Sequence, residues 1–387
     1  VNLKELRALL GEVGHLNHKE WQVTGKSAER LASILLCNKV DADKEICNEP
    51  TPSFRQSFQR VMEEGNWDGA VSHAQQQNEQ NNQHHPWAIL VTGVNGIRKT
   101  TSVYQPWFHD VLNEALQPPS SPNNDTEEKK DESLSEHCLP TGKNSFFRQL
   151  DHMIATIANQ KFRDLYLLSS EAHDFLNQDP NASPPPDSVI KAYSDLKAEI
   201  FTRYRTASEI LGVVLVRMAI AQNINIMIET SGRDVAMFEY IQSFFPLHYN
   251  KLALRFVIND ISCAEKSVDS RMIREMKEGV KVVLSKEKID DNSDTHAIRE
   301  NTLEIIRANA GGPYGSSVLR GVQADSDKVW KEKVMNDEVD VGNDWYKACI
   351  QILANKEADW QACAIQSNGE LGTKQTFIRP DLVEENV

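Results

Sequence analysis

Four apolar β-type runs, separated by segments of helix length, constrain this chain more than any other feature. They are AILVT (88–92), SFF (145–147), NINIMI (223–228) and KLALRFVI (251–258). The segments between them, HMIATIANQKFRDLYLL, the stretch from Val189 to Gln222 and VAMFEYIQSFF, return apolar residues at three-and-four spacing, the period of a helix with one buried face. Strands that alternate with helices of ten or more residues are joined by crossovers, and crossovers impose parallel pairing. The expectation is an α/β fold, a parallel sheet flanked by helices.

The flanks read differently. LKELRALLGEV, SAERLASILLC and SFRQSFQRVMEEG predict a helical N-terminal region over 1–85. It is closed by AQQQNEQNNQHH, a polar run from Ala74 to His85 that reads as a linker. The α/β core is then expected over 86–300, with a disordered insertion within 117–143, where QPPSSPNNDTEEKKDESLSEH is rich in Pro, Ser and charge. NQDPNASPPPDS reads as a second loop. Residues 301–387 are expected to be mainly helical, interrupted by NAGGPYGSS (309–317), which is either a turn or a close backbone approach to a ligand.

The segment that names a chemistry is AILVTGVNGIRKTTS. A strand, a glycine-bearing turn and Lys-Thr-Thr opening a helix follow the phosphate-loop plan GxxxxGK(S/T), with Arg98 where the second glycine belongs. In that plan the backbone from Gly93 through Val94, Asn95, Gly96, Ile97 and Arg98 to Lys99, Thr100 and Thr101 cradles phosphate oxygens. Lys99 neutralises them, and the Thr100 hydroxyl holds Mg²⁺. SVYQPWFHDVLNEAL supplies the helix after the loop. Two readings of Arg98 are open: its side chain crowds the phosphates where glycine lets them approach, or its guanidinium is itself a phosphate ligand.

With IETSGRD and SFFRQLD, the loop resembles the zeta-toxin type of P-loop kinase, close to the chloramphenicol phosphotransferase and nucleotide-kinase group. The resemblance covers about residues 86 to 285. In that family a strand ends in Ile-Glu-Gly-Thr-x-Arg; here Ile228, Glu229, Thr230, Ser231, Gly232 and Arg233 stand in those places. The resemblance implies that Glu229, Ser231 and Arg233 bind the acceptor and that Asp151 is the general base. It further implies that Arg271 and Arg274, in SVDSRMIREMKEG, clamp the transferring phosphate. ATP and Mg²⁺ are the implied cofactors. This chain lacks the second aspartate and the arginine of the family's Asp-x-Asp-x-x-Arg setting. Asp151 also reads as a helix N-cap, Arg271 and Arg274 as a solvated helix face, and Arg163 with Asp164 as a second acceptor pair.

Bulk properties narrow the alternatives. A net charge of −14 argues against nucleic-acid or anionic-membrane partners. The six cysteines form no CxxC pair, as in a reduced, cytoplasmic protein. No run reaches the roughly 20 apolar residues of a membrane span, and the eleven histidines show no HExxH zinc spacing. The expected function is an ATP-dependent kinase acting on a small-molecule hydroxyl, such as that of a nucleotide sugar. The alternatives are a nucleotide-binding scaffold with a degenerate loop and a switch-type NTPase, the latter disfavoured because IMIET lacks a strand-terminal Asp. The helical flanks are candidate surfaces for a protein partner or self-association.

Overall fold

The computed structural model describes residues 19–36, 59–79, 85–117, 139–176, 187–284, 304–309, 311–336, 345–356 and 359–378. The first predicted helix, nearly all of the charged insertion and most of the NQDPNASPPPDS loop lie outside them. In chain order the main elements are α1 (Trp21–Leu36), α2 (Trp67–Glu79), β1 (Trp87–Thr92), α3 (Lys99–Val103), α4 (Phe108–Leu116), β2 (Ser145–Arg148), α5 (Leu150–Ile157) and α6 (Asn159–Leu176). There follow α7 (Asp187–Ala221), β3 (Asn225–Glu229), α8 (Ala236–Phe244), β4 (Asn250–Ile258), α9 (Ile261–Leu284), α10 (Leu319–Val329), β5 (Tyr346–Leu353), β6 (Gln361–Ile365) and β7 (Gln375–Thr376). The chain divides into two units interleaved in sequence. A sheet unit is drawn from 66–148, 219–267 and 316–387, and a helical unit from 1–65, 149–218 and 268–315.

In the sheet unit seven strands lie in the order β2-β3-β1-β4-β5-β6-β7. The first five pair in parallel, and β6 and β7 close the edge antiparallel, so the fold is α/β on a mixed sheet. All of WAILVT is buried in β1; a central parallel strand is covered on both faces, which explains the unbroken apolar run. From β1 the chain crosses to β2, beyond β3, and from β3 it crosses to β4 on the other side of β1. The connection that leaves β1 runs toward the β2 side and the one that leaves its neighbour β4 runs toward the β5 side, and in open α/β sheets ligands bind outside the carboxyl ends of strands at such a point.

Three sequence expectations are corrected. The C-terminal region is not mainly helical, because after α10 it supplies β5, β6 and β7. YKACIQIL buries alternate residues, Ala348, Ile350 and Ile352, so it offered no unbroken apolar run, and its pairing with β4 makes it a strand. The expected linker is partly helix, since α2 continues to Glu79 with Ala70 and Ala74 on its buried face. Gln and Glu sustain helix well, and one apolar stripe suffices; Trp67 sets the edge of this helix against Phe146 of β2 at 5.0 Å between ring centroids. The helix after the loop breaks into α3 and α4 around Gln105 and Pro106, where proline lacks a donor and disfavours helical geometry before it.

The helical unit has its own core. Ile154, Phe162, Tyr166, Tyr193, Phe201, Met272, Met276, Ile305 and Ile306 form one buried cluster. Gly279 of α9 permits a close approach: a Cβ there would stand 2.4 Å from the Tyr166 ring. No helix among the described residues is long and apolar enough to cross a membrane.

Candidate functional site

The phosphate-loop segment leaves β1 at the switch point. Gly93 adopts φ 132°, and a Cβ there would stand 2.6 Å from the Phe256 carbonyl oxygen, so the turn admits only glycine. Gly96 also has positive φ, at 83°. Val94 and Ile97 anchor the loop in the core, while Asn95 and Gly96 are half-buried and Thr101 is exposed.

Glu229 ends β3 and lies in register with Val91 of β1, which delivers its carboxylate to the loop. Its Oε1 is 3.0 Å from Lys99 Nζ. Its Oε2 accepts a hydrogen bond from Thr100 Oγ1 at 2.8 Å. Lys99, only 3% exposed, also donates to the Val94 carbonyl at 2.9 Å. One carboxylate thus engages both side chains that the motif assigns to phosphate and metal. The sequence expectation gave Glu229 to the acceptor, because strand order, which makes β3 the neighbour of β1, is invisible in sequence.

Thr100 Oγ1 and Glu229 Oε2 are adjacent hard oxygen donors, the type that binds Mg²⁺ together with water and phosphate oxygens. Among the described residues no group of three or more His, Cys, Asp or Glu is placed to hold a metal. An ion here would therefore take the rest of its shell from phosphate and water. Ser231 is half-buried and Arg233 exposed. Between them Gly232 has φ 74°, with space for a Cβ blocked by Thr92 at 2.9 Å.

Arg98 adopts φ 63° and ψ 32°, the left-handed conformation for which glycine is the usual residue. The other non-glycine residues with positive φ among those described are Asn66 and Asn223, a type that tolerates it. For arginine the conformation costs about 1–2 kcal/mol. The guanidinium lies over the Trp360 ring at 4.3 Å and near Phe377 at 5.5 Å from the ring centroids. At an exposed side chain such stacking contributes roughly 0.5–1 kcal/mol, which offsets part of the strain. Burial lowers the Arg98 pKa, against the opposing charge of Asp359.

The remaining sequence candidates belong to the helical unit. Asp151 lies in the first turn of α5, whose N-cap is Gln149. The N-cap expectation for Asp151 is therefore corrected: it sits inside the turn, where a carboxylate still favours the helix electrostatically. Its backbone carbonyl accepts from Asn309 Nδ2 at 3.2 Å. Arg271 donates to the Gly312 carbonyl at 3.2 Å, and Arg274 is exposed. Asp164 bonds Gln160 and Lys161 on the α6 surface, which lowers its pKa, and Arg163 is half-buried beside it.

Sequence reasoning missed a fully buried ion pair in this unit, Lys197 of α7 and Glu275 of α9, at 2.5 Å. Tyr193 donates to the same Glu275 oxygen at 2.7 Å. Lys197 also donates to the Gly311 carbonyl at 2.7 Å, and Ser194 to the Pro313 carbonyl at 2.9 Å. With Arg271 on Gly312, three successive carbonyls of the glycine-rich segment are held by side chains of α7 and α9. Residues 311–313 of that segment are thus strapped to the two helices. The i, i+4 spacing that puts Tyr193 and Lys197 on one helix face was legible, but their partner lies 78 residues beyond Lys197.

Comparison of the chain with protein-family models, with curated proteins and with solved structures finds no match.

Proposed function

We propose that the chain is an ATP-dependent phosphotransferase of the zeta-toxin type, moving the γ-phosphate of MgATP to the hydroxyl of a small molecule. The observation that carries this reading is the convergence of Lys99, Thr100 and Glu229 at the carboxyl ends of adjacent parallel strands. Phosphoryl transfer asks a protein chiefly to position its reactants and to neutralise charge spread over the phosphate oxygens. Lys99 supplies a cation that would exchange Glu229 and the Val94 carbonyl for phosphate. Thr100 and Glu229 would hold Mg²⁺, whose chemistry is to neutralise the β and γ oxygens. Glycines 93 and 96 free the backbone amides of the loop to face an anion.

The helical unit's Asp151, Arg271 and Arg274 keep, as separate proposals, the roles of proton acceptor and phosphate clamp that the resemblance implies. A second reading, nucleotide hydrolysis with water as acceptor, is favoured by the Glu229–Thr100 bond, because Glu229 stands where a magnesium-binding strand-end carboxylate is needed. The test is transfer from radiolabelled MgATP into a metabolite library, with phosphate release measured in its absence. Acceptor-dependent labelling that Lys99→Ala abolishes while the chain stays folded supports the kinase. Release without acceptor favours hydrolysis. Binding of MgATP with neither outcome defeats both and leaves a nucleotide-binding scaffold.

A further inference from the structure

Arg98 occupies the position at which the phosphate-loop pattern calls for glycine, and it takes the glycine conformation. The residue is exposed, yet its side chain folds back onto two aromatic rings. The guanidinium face rests on Trp360, and the Phe377 ring lies beside it. Both aromatics are buried, and Phe377 is held edge-on by Trp107 at 5.2 Å. The platform is tied together by a bond from the Phe377 amide to the Trp360 carbonyl at 2.9 Å. A second tie lies just beyond the other end of α3. The Gln105 side chain donates to the Ile378 carbonyl at 3.2 Å and accepts from the Ile378 amide at 2.8 Å. The short helix that carries Lys99 and Thr100 is thus gripped at both ends by the same β6–β7 edge.

We propose that Arg98 is a positioning residue of the phosphate loop, whose stack on Trp360 and Phe377 braces the left-handed turn that sets Lys99 and Thr100 toward the nucleotide phosphates. This rests on the reading of the loop as an ATP site. It makes the arginine a strut that replaces the conformational freedom of glycine, neither an obstruction nor a direct phosphate ligand. The brace and the strain belong together. Removing the platform beneath an arginine should harm the loop, whereas removing it beneath a glycine should not, since glycine reaches the turn unaided.

The experiment is a double-mutant cycle in the full chain, with the dissociation constant for MgATP measured by calorimetry and the urea midpoint measured without nucleotide. Trp360→Leu should weaken MgATP about tenfold, the factor that matches the strain of an unbraced left-handed residue. Arg98→Ala should do the same, and Arg98→Gly should stay within about threefold of the unaltered chain. Added to Arg98→Gly, Trp360→Leu should change affinity by less than about twofold. Should Trp360→Leu fail to fold, Trp360→Phe, which keeps an aromatic face, with Arg98→Lys, which keeps charge but loses the planar stack, gives the same comparison.

Equal losses from Trp360→Leu in both backgrounds would overturn the brace. Arg98→Gly that abolishes phosphate transfer while MgATP still binds would overturn it as well, and would make Arg98 a phosphate ligand. No MgATP binding by the unaltered chain would overturn the loop reading and this proposal with it. In that event the urea midpoints would still report whether Arg98 and Trp360 are coupled.

Discussion

Removal of Glu229 should destabilise the sheet unit more than removal of the lysine it faces. Lys99 is 3% exposed and Glu229 is 29% exposed, so the two partners do not share the desolvation equally. At 3.0 Å and an effective dielectric of 20 their attraction is about 5 kcal/mol before desolvation and solvent screening. Glu229→Ala leaves a buried ammonium with the Val94 carbonyl as its named partner. Breaking a buried pair costs about 3–5 kcal/mol, and screening at the half-exposed carboxylate reduces this to about 2–3 kcal/mol. Lys99→Met removes the buried charge, keeps the packing volume and frees a carboxylate that water can reach, at a cost below about 1 kcal/mol. The double variant should therefore be more stable than Glu229→Ala alone. Urea denaturation followed by near-ultraviolet circular dichroism reads the difference as a midpoint shift of about 1 M. Equal costs for the two single variants, or a double variant that merely adds them, would refute the reasoning.

Three further outcomes follow from the geometry. Gly93→Ala places a side chain at φ 132° and 2.6 Å from a carbonyl oxygen; it should cost about 1–3 kcal/mol in strain and abolish MgATP-induced thermal stabilisation. In the helical unit Glu275→Ala should cost about 3–5 kcal/mol by stranding Lys197, whereas Lys197→Met combined with Glu275→Leu should recover most of it in chemical denaturation. Burial pushes the Cys349 thiol from 9.0 up to about 11. Because the folded value is the higher one, the stability linked to the neutral thiol is full below pH 9.0 and is lost as pH rises toward 11. At pH 8 maleimide should label Cys349 far more slowly in the native chain than in urea, as followed by peptide mass.

Local physics determined much of this protein from sequence alone. WAILVT, NIMIE and NKLALRFVI are strands because their apolar runs suit burial on two faces, and the helix-length segments between them impose parallel pairing. Glycine at 93 and Lys-Thr at 99–100 marked the loop, since a left-handed or crowded turn followed by a cation is a local pattern. YKACIQIL was not legible in the same way, because alternating burial becomes a strand signal only when a sheet edge stands beside it. The helix break at Gln105–Pro106 was written in the proline, yet its consequence, a short α3 gripped by Ile378, depends on a partner 273 residues away. Tertiary structure alone decided which carboxylate meets Lys99. Strand order puts β3 beside β1 and so gives Glu229 to the phosphate loop. It also decided what becomes of Arg98, which as a sequence letter was a flaw in a motif and in the fold is a strained residue resting on Trp360. A chain specifies its periodicities and turns residue by residue, but the pairing of distant charges is settled only when the sheet fixes which strand ends are neighbours.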